Sequence, residues 1–508
     1  MGKLNYNEKM VLNSSVALCQ QVVTIVCGLI LPQLILQTFG SATNGLISSV
    51  GQFLSIITLL QGGVGTLARI MYYKALASED NKSVASTFNA ITHFFRKFGV
   101  VFLLYLLMLA IIYPLISNSS DTYWNISLLV LILGIASIFE YFFGQASQYL
   151  LYADQKLYIY SLIQIVCTII STVLGVFFIK IGLSIYIVKF VSALVFAIRP
   201  VVLYLYVKKH YAIDRTIQKC HFNLARRNAA FVRHIAYYIH KSTDIIILTL
   251  LMDVTWVSVY AVHNYAVSSL TNIVTSVLGN NEVVFGNMIA NKEQDELEEI
   301  YPTYDLLSKI LSSICFITCM LLINEFVCIY TKNVSDVNYI QVTFARVLVT
   351  AEWLYCMVIT CQNVYVAAGH LEQTQWIAVG EAIINLLCSV VLVYQWGILG
   401  VAVGTLISMI FKTLASIWYV RKNIYDISLV YLFKGYLGNI GSGIAVLYLF
   451  NENIKFNISG YGDFFLYAIV IFIVVSLFVL IVNSVLFPEQ MKKIFTVFVE
   501  RIKKRRRN

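Results

Sequence analysis

Charge is what this sequence has least of. Lys, Arg, Asp and Glu together make up 12% of its 508 residues, about half the share carried by ordinary soluble domains, which excludes a soluble globular enzyme. Proline is scarce at 5 residues and glycine ordinary at 26, so disordered, collagenous and fibrous classes fail on composition. Phosphate-binding loops of the Walker type and Gly-x-Gly-x-x-Gly turns between a strand and a helix are missing, which excludes a nucleotide-driven pump acting alone. Seven histidines include His234 and His240, yet no His-Glu-x-x-His or Cys-x-x-Cys spacing accompanies them, and neither a metal nor a cofactor is expected.

What fills the chain instead is apolar: 59% hydrophobic residues and a mean hydropathy of +0.78. About fourteen spans of about 21 residues use more than half the chain. The runs predict helices near 15 to 36, 44 to 68, 97 to 117, 125 to 151, 158 to 179, 184 to 206 and 233 to 253. Seven more follow near 257 to 280, 306 to 329, 341 to 365, 375 to 396, 398 to 420, 429 to 450 and 463 to 487. The expected class is an all-α polytopic membrane protein. The first run is too long for a signal-peptide core and lacks a small-x-small cleavage site, so it reads as an uncleaved helix. Nine of the ten cysteines fall in apolar runs and Cys220 in a basic loop, a pattern of buried thiols and not of a disulfide framework.

The formal charge of +10 does not point to nucleic acid, because the basic residues lie in loops with no folded domain to present them. They mark topology. With the amino terminus in the cytoplasm, Lys and Arg gather in the inner segments, and both termini are expected inside. The largest inner clusters are Lys208, Lys209, Arg215, Lys219, Arg226, Arg227 and Arg233, and the tail Arg501, Lys503, Lys504, Arg505, Arg506 and Arg507, suited to anionic head groups. Ile494, Phe495, Phe498 and Ile502 recur at helical spacing among lysines, as an interfacial helix requires.

The chain also matches itself at an offset of about 213 residues. Ala77-Ser78-Glu79-Asp80 meets Ala290-Asn291-Lys292-Glu293, Phe88 meets Tyr301, Tyr206-Val207-Lys208-Lys209 meets Tyr419-Val420-Arg421-Lys422, and Gly182 meets Gly397. An even number of spans separates the copies, so they are parallel repeats. The expected organisation is an amino-terminal lobe over 1–213, a second lobe over 214–426, appended helices over 427–487 and a basic tail over 488–508. A cleft between the lobes is expected.

Ionised side chains inside the membrane are default site candidates, since each costs about 2.5 to 3.5 kcal/mol on insertion scales. Glu140 maps onto Glu352, and Arg199 onto Lys412. Lys241 and Asp244 stand three residues apart on one helix face, where a structural ion pair explains them as well as a site does. Lys189 and Arg346 lie within a stem's reach of the surface and read as snorkelling, while Glu381 and Lys412 lie near the inner surface. Polar stripes run through Asn264, Ser268, Thr271 and Thr275, and through Glu352, Tyr355, Cys356 and Asn363. Gln148 shares a face with Glu140. Interhelical hydrogen bonding explains any single stripe, whereas several with charge favour a hydrated path.

Four segments carry a family likeness: Ser242-Thr243-Asp244-Ile245-Ile246-Ile247-Leu248, Val257-Ser258-Val259-Tyr260, Phe285-Gly286-Asn287-Met288-Ile289-Ala290, and Gly397-Ile398-Leu399-Gly400-Val401-Ala402-Val403-Gly404-Thr405. In their order, and with the fourteen-helix plan, the chain resembles the multidrug/oligosaccharidyl-lipid/polysaccharide exporter superfamily, and within it the polysaccharide transporters, or Wzx-type oligosaccharide flippases. The resemblance implies a bacterial plasma-membrane protein, not an enzyme, that moves an undecaprenyl-pyrophosphate-linked oligosaccharide from the inner to the outer leaflet for surface polysaccharide synthesis. It also implies membrane lipids, a polysaccharide polymerase and glycosyltransferases as partners. Arg199, Lys241 and Lys412, with Arg69 at the end of the second span, would then face substrate charge, and Gln148 and Asn264 would bond sugar hydroxyls. Glu140, Asp244 and Glu352 would couple transport to an ion gradient. A cation-coupled drug exporter and a lipid II flippase of the same superfamily are the alternatives, and a membrane glycosyltransferase or polymerase a further one.

Overall fold

The computed structural model describes residues 6–61, 64–78, 80–119, 121–211, 213–214, 216–217, 228–278, 281–290, 294–425, 428–453, 458 and 460–505. Among the described residues the chain is helical throughout, without strands. The helices are α1 (Tyr6–Ile56), α2 (Val64–Ala77), α3 (Asn81–Ile116), α4 (Tyr123–Phe139), α5 (Gln145–Ala153), α6 (Leu157–Lys180), α7 (Ile185–His210), α8 (Asn228–Leu251) and α9 (Val254–Leu278). There follow α10 (Asn281–Ala290), α11 (Gln294–Tyr330), α12 (Val342–Met357), α13 (Ile359–Ala367), α14 (Gln375–Trp396), α15 (Ile398–Asn423), α16 (Leu429–Asn453), α17 (Tyr461–Leu486) and α18 (Pro488–Arg505).

Among the described residues ten helical segments are long and apolar enough to cross a membrane, against about fourteen expected. The difference has two physical sources. The first two expected spans are two helices joined end to end across the kink at Gly40 and so count as one segment, Leu12–Leu59, and α8, α9 and α16 are long helices whose charged and amide side chains lower their hydropathy. Leu466, Ile469, Ile473, Leu477 and Ile481 of α17 are exposed, as residues facing lipid are. Of the basic clusters, Arg215, Lys219, Arg226, Arg227, Arg506 and Arg507 lie outside the described residues, as do the side chains of Arg233, His234 and His240.

The helix order repeats. The hairpin α6–α7 turns at Gly182 with φ +79°, and the hairpin α14–α15 turns at Gly397 with φ +57°, the left-handed region that glycine enters without strain. The spans α4–α5 and α12–α13 are both interrupted: the first by a π-helical turn, Glu140–Gly144, the second at Val358. Spatially the chain divides into two compact units. One comprises Met1–Tyr238, Leu248–Ser258 and Asn333–Val337, the other Ile239–Ile247, Val259–Lys332 and Asn338–Asn508.

Within the first unit α1 breaks at Gly40, with φ 83° and ψ 175°. A new helical segment opens at Ser41, and the first amides of a helix take acceptors from outside it. Asp336 supplies the acceptors: the Ser41 N–H donates to its Oδ2 at 2.7 Å and the Ser41 hydroxyl to its Oδ1 at 2.6 Å. A carboxylate at a helix start also meets the positive end of the helix dipole. Further along, Asn44 donates to the Ser258 hydroxyl at 2.7 Å and Ser49 lies 2.6 Å from the Thr249 hydroxyl.

Two of the prolines inside helices are placed where another element repairs the damage. Pro114 within α3 deprives the Ala110 carbonyl of its helical donor, and the Ser127 hydroxyl of α4 donates to that oxygen at 2.7 Å. Pro302 within α11 does the same to Glu298, whose carbonyl accepts from Tyr425 Oη at 3.1 Å.

In the second unit α14 and α15 pack backbone to backbone through Gly400 and Gly404, a small-x-x-x-small spacing. A Cβ on Gly404 would stand 2.3 Å from Ser389 Oγ and 2.6 Å from its backbone nitrogen. Gly404→Val is therefore expected to lose folded protein, measured by monodispersity and melting temperature in detergent. Gly51, with nothing within 4 Å of a Cβ, gives the contrast: Gly51→Ala leaves the melting temperature unchanged or higher, by up to about 1 kcal/mol of helix propensity.

Candidate functional site

Two polar clusters form, one in each unit. In the first, Glu140 opens the π-helical turn at the end of α4, a geometry that recurs at functional positions. Its Oε2 accepts from Arg199 Nη2 of α7 at 2.6 Å. Arg199 Nη1 donates to Gln164 Oε1 of α6, and the guanidinium stands 5.2 Å from the centroid of the Tyr160 ring. The two charged side chains are 17% and 12% exposed, so neither is bare in an apolar medium nor freely hydrated. Arg199 Nε and Glu140 Oε1 are buried and keep bonding capacity to spare. Arg69 lies with its guanidinium 4.8 Å over the Tyr152 ring. Gln148 is half-buried.

In the second unit four helices meet at one carboxylate. Asp244 of α8 is 3% exposed. Tyr260 of α9 donates to its Oδ2 at 2.9 Å. The Thr405 hydroxyl of α15 lies 3.0 and 3.1 Å from the two carboxylate oxygens. Asn385 of α14 donates to Thr405 Oγ1 at 2.9 Å, and its own Oδ1 is buried without a partner. Charge-assisted hydrogen bonds thus hold Asp244, where the spacing on α8 had offered Lys241. Among the described residues no ion pair joins Lys241 and Asp244.

Glu352 of α12 accepts from the Thr271 hydroxyl of α9 at 2.9 Å. Electrostatically it reaches Asp244, and both it and Lys241 reach the Cys356 thiol, so Lys241, Asp244 and Glu352 share one region. Lys412 of α15 stands apart from Glu352 in its bonding: its Nζ lies 2.8 Å from Glu381 Oε2 of α14 and 4.8 Å from the Tyr355 ring centroid. The equivalence of Arg199 and Lys412 is therefore matched by one between their partners on the preceding helix, Gln164 and Glu381. Of the expected stripes, Thr271 and Asn363 bond across helices, Asn363 to the Leu278 carbonyl at 3.1 Å. Ser268 and Thr275 bond back to Tyr265 and Asn272 of their own helix, and Asn264 is half-buried.

The donors around Asp244 are all oxygen or amide: a carboxylate, two hydroxyls and the Asn385 side chain. Such a set suits a proton or a hard cation and not a transition metal, and no group of three His, Cys, Asp or Glu able to hold a metal occurs among the described residues. Sequence reasoning passed over Gln164 and Asn385, and quoted Tyr260 and Thr405 only as parts of the segments that carry the likeness, because uncharged polar residues are common in these helices. It also missed the buried pair Asp305 and Lys309 of α11, 2.6 Å apart, although their four-residue spacing at the edge of an apolar run was legible.

A partnered charge in such surroundings is costly to orphan. Arg199→Met is expected to lower the unfolding midpoint, toward the roughly 3 to 5 kcal/mol of a fully buried pair and short of it because this pair is partly exposed. Adding Glu140→Gln to that variant restores most of the loss. Thermal unfolding of both variants in the same detergent checks the sign and the recovery.

No protein-family model matches the sequence, and no curated protein matches it. Solved structures do. The lipid II flippase MurJ in an inward closed conformation superposes with a TM-score of 0.68 at 16% identity, covering 94% of this chain and 99% of that chain. An inward-facing multidrug resistance transporter of the MATE family, of the same exporter superfamily, gives 0.62 at 12% identity over 78% of this chain and 94% of that chain. The MATE multidrug transporter DinF-BH gives 0.61 at 15% over 83% and 97%. The chain is an all-α polytopic membrane protein with the fold these flippase and transporter structures share.

Proposed function

We propose that the protein is a flippase that carries an undecaprenyl-pyrophosphate-linked oligosaccharide repeat unit across a bacterial plasma membrane by alternating access, for assembly of a surface polysaccharide. In this reading residues 1–213 and 214–426 act as the two moving lobes, residues 427–487 as an appended pair, and both termini are cytoplasmic. A polymerase and glycosyltransferases receive and supply the substrate.

The observation that carries this reading is the state of Lys241. Arg199 and Lys412 each have a carboxylate within hydrogen-bond distance, so their charge is already offset. Lys241 is half-buried and, among the described residues, makes no ion pair. A cation without an ion-pair partner in an apolar span is free to engage an anion from outside the protein, which a pyrophosphate supplies and a cationic drug does not. The extent of the likeness agrees: the flippase superposes on 94% of the chain, the two exporters on 78% and 83%. Asp244, held by hydroxyls and the Asn385 amide, is the coupling carboxylate, with Glu140 and Glu352 as secondary candidates. Gln148, Asn264 and Arg69 contact the sugars and the second phosphate. The same observations serve a second substrate of like chemistry, lipid II, which also joins a polyprenyl chain to a sugar through pyrophosphate.

Proteoliposomes loaded with a fluorescent polyprenyl-pyrophosphate disaccharide test the proposal through the rate at which the label becomes reachable by a membrane-impermeant quencher. Lys241→Met is expected to slow flipping about tenfold or more, by about 1.4 kcal/mol per decade, and Lys241→Arg to retain most of it. Asp244→Asn is expected to abolish the response to an imposed ion gradient. Efflux of a cationic dye with no movement of the pyrophosphate lipid would overturn the reading.

A further inference from the structure

The pair Asp305 and Lys309 lies outside both clusters and is the most deeply buried ion pair among the described residues. Its side chains are 0% and 1% exposed, and Asp305 Oδ1 has no partner. Such a pair is expensive to keep, and apolar residues of the same volume hold helices together as well or better. Its surroundings show what it adds. Lys309 Nζ sits 4.2 Å from the centroid of the Tyr436 ring on α16, a cation over an aromatic face. The approach is possible because position 435 is glycine: a Cβ there would stand 3.2 Å from Lys309 Cδ and Nζ.

Tyr436 has a second task. Its hydroxyl points at the Met357 carbonyl, 3.4 Å away, and the Ser308 hydroxyl of α11 reaches the Cys356 carbonyl at 3.4 Å. Those two carbonyls close α12 at the Val358 break, the end of a helix where carbonyls have fewer intrahelical donors. Two further bonds hold the flanks of the break to α11: Tyr301 Oη lies 3.1 Å from Cys361 Sγ, and Trp353 Nε1 donates to Ser313 Oγ at 3.3 Å. Glu352 stands one and a half turns before the break and Asn363 just after it.

We infer that Asp305, Lys309 and Tyr436 form a positioning clamp by which the appended helix α16 sets the bend between α12 and α13, and so the placement of Glu352 and Asn363. Lys309 grips the ring, the ring aims the hydroxyl, and the hydroxyl holds the break. Asp305 orients the ammonium within the apolar packing. α17 extends the clamp, since Asn439 of α16 and Asn483 of α17 exchange amide hydrogen bonds at 3.3 and 3.1 Å. The inference rests on the flippase reading for its transport readout only.

The test pairs backbone hydrogen exchange over Val358–Gln362 with lipid flipping by the full-length protein in lipid bilayers. Lys309→Met alone strands a buried carboxylate and is expected to fold poorly. The informative variants are therefore Asp305→Leu with Lys309→Met, which replaces the pair by apolar packing, and Tyr436→Phe, which keeps the ring and removes the hydroxyl. Both are expected to keep the wild-type melting temperature. Both are expected to raise exchange at the break about fivefold or more while the rest of α11 and α12 is unchanged. The flipping rate at saturating probe, the same fluorescent polyprenyl-pyrophosphate disaccharide, is expected to fall about tenfold with little change in the half-saturating concentration. Lys309→Arg, which keeps the cation over the ring, is expected to retain both wild-type values. Wild-type exchange over Val358–Gln362 in the double variant overturns the clamp, and raised exchange with undiminished flipping overturns its positioning role. Should the wild-type protein move no pyrophosphate lipid, the flippase reading fails and the exchange result still decides the clamp.

Discussion

A polar group in an apolar medium must find its partner inside the protein, and most of what is specific in this structure answers that demand. The carbonyls freed by Pro114 and Pro302 are met by hydroxyls of Ser127 and Tyr425 on other elements. The amide opened at Gly40 is met by Asp336. The carbonyls at Val358 are met by Ser308 and Tyr436. Each irregularity in a helix thereby becomes a tie between helices. With no hydrophobic force pressing apolar helices together in lipid, such ties and close backbone packing like that at Gly400 and Gly404 decide which helices associate.

The same demand separates the three intramembrane carboxylates proposed for coupling. Glu140 is met by a guanidinium, Asp244 by two hydroxyls, and Glu352 by Thr271. Taking up a proton or a cation at Glu140 would break an ion pair, whereas at Asp244 it would rearrange hydrogen bonds to hydroxyls only. The repeat contributes to this asymmetry: the hairpins α6–α7 and α14–α15 carry a base at matched positions, but its neighbour is the amide Gln164 in one and the acid Glu381 in the other. Arg199 therefore draws its counter-charge from the π turn, and Lys412 leaves Glu352 to other partners.

How much of this was legible in the sequence follows from range. The helical class, the long apolar runs and the paired hairpin turns at Gly182 and Gly397 are local properties, and the residues state them. The internal offset pairs Arg199 with Lys412, and each lies on the second helix of its hairpin. It could not say which acid each base would choose, since Glu140 and Glu381 lie on different helices relative to their bases. Helix spacing left Lys241 and Asp244 open between an ion pair and a site; in the structure Asp244 bonds Thr405, 161 residues away. The span count was harder to settle, because two helices meet end to end at the Gly40 kink and α8, α9 and α16 carry enough polar side chains to lower their hydropathy while remaining long helices.

The cap on Ser41 has a consequence in time. Its acceptor, Asp336, comes 295 residues later in the chain. The Thr249 and Ser258 hydroxyls that bond Ser49 and Asn44 come 200 and 214 residues after them. At roughly 5 to 20 residues per second of synthesis, the second segment of the first helix waits on the order of 15 to 60 s for the groups that complete it. Until then its polar face must be tended by water, by lipid head groups or by the insertion machinery. A segment made well before its partners is thus finished only when they arrive.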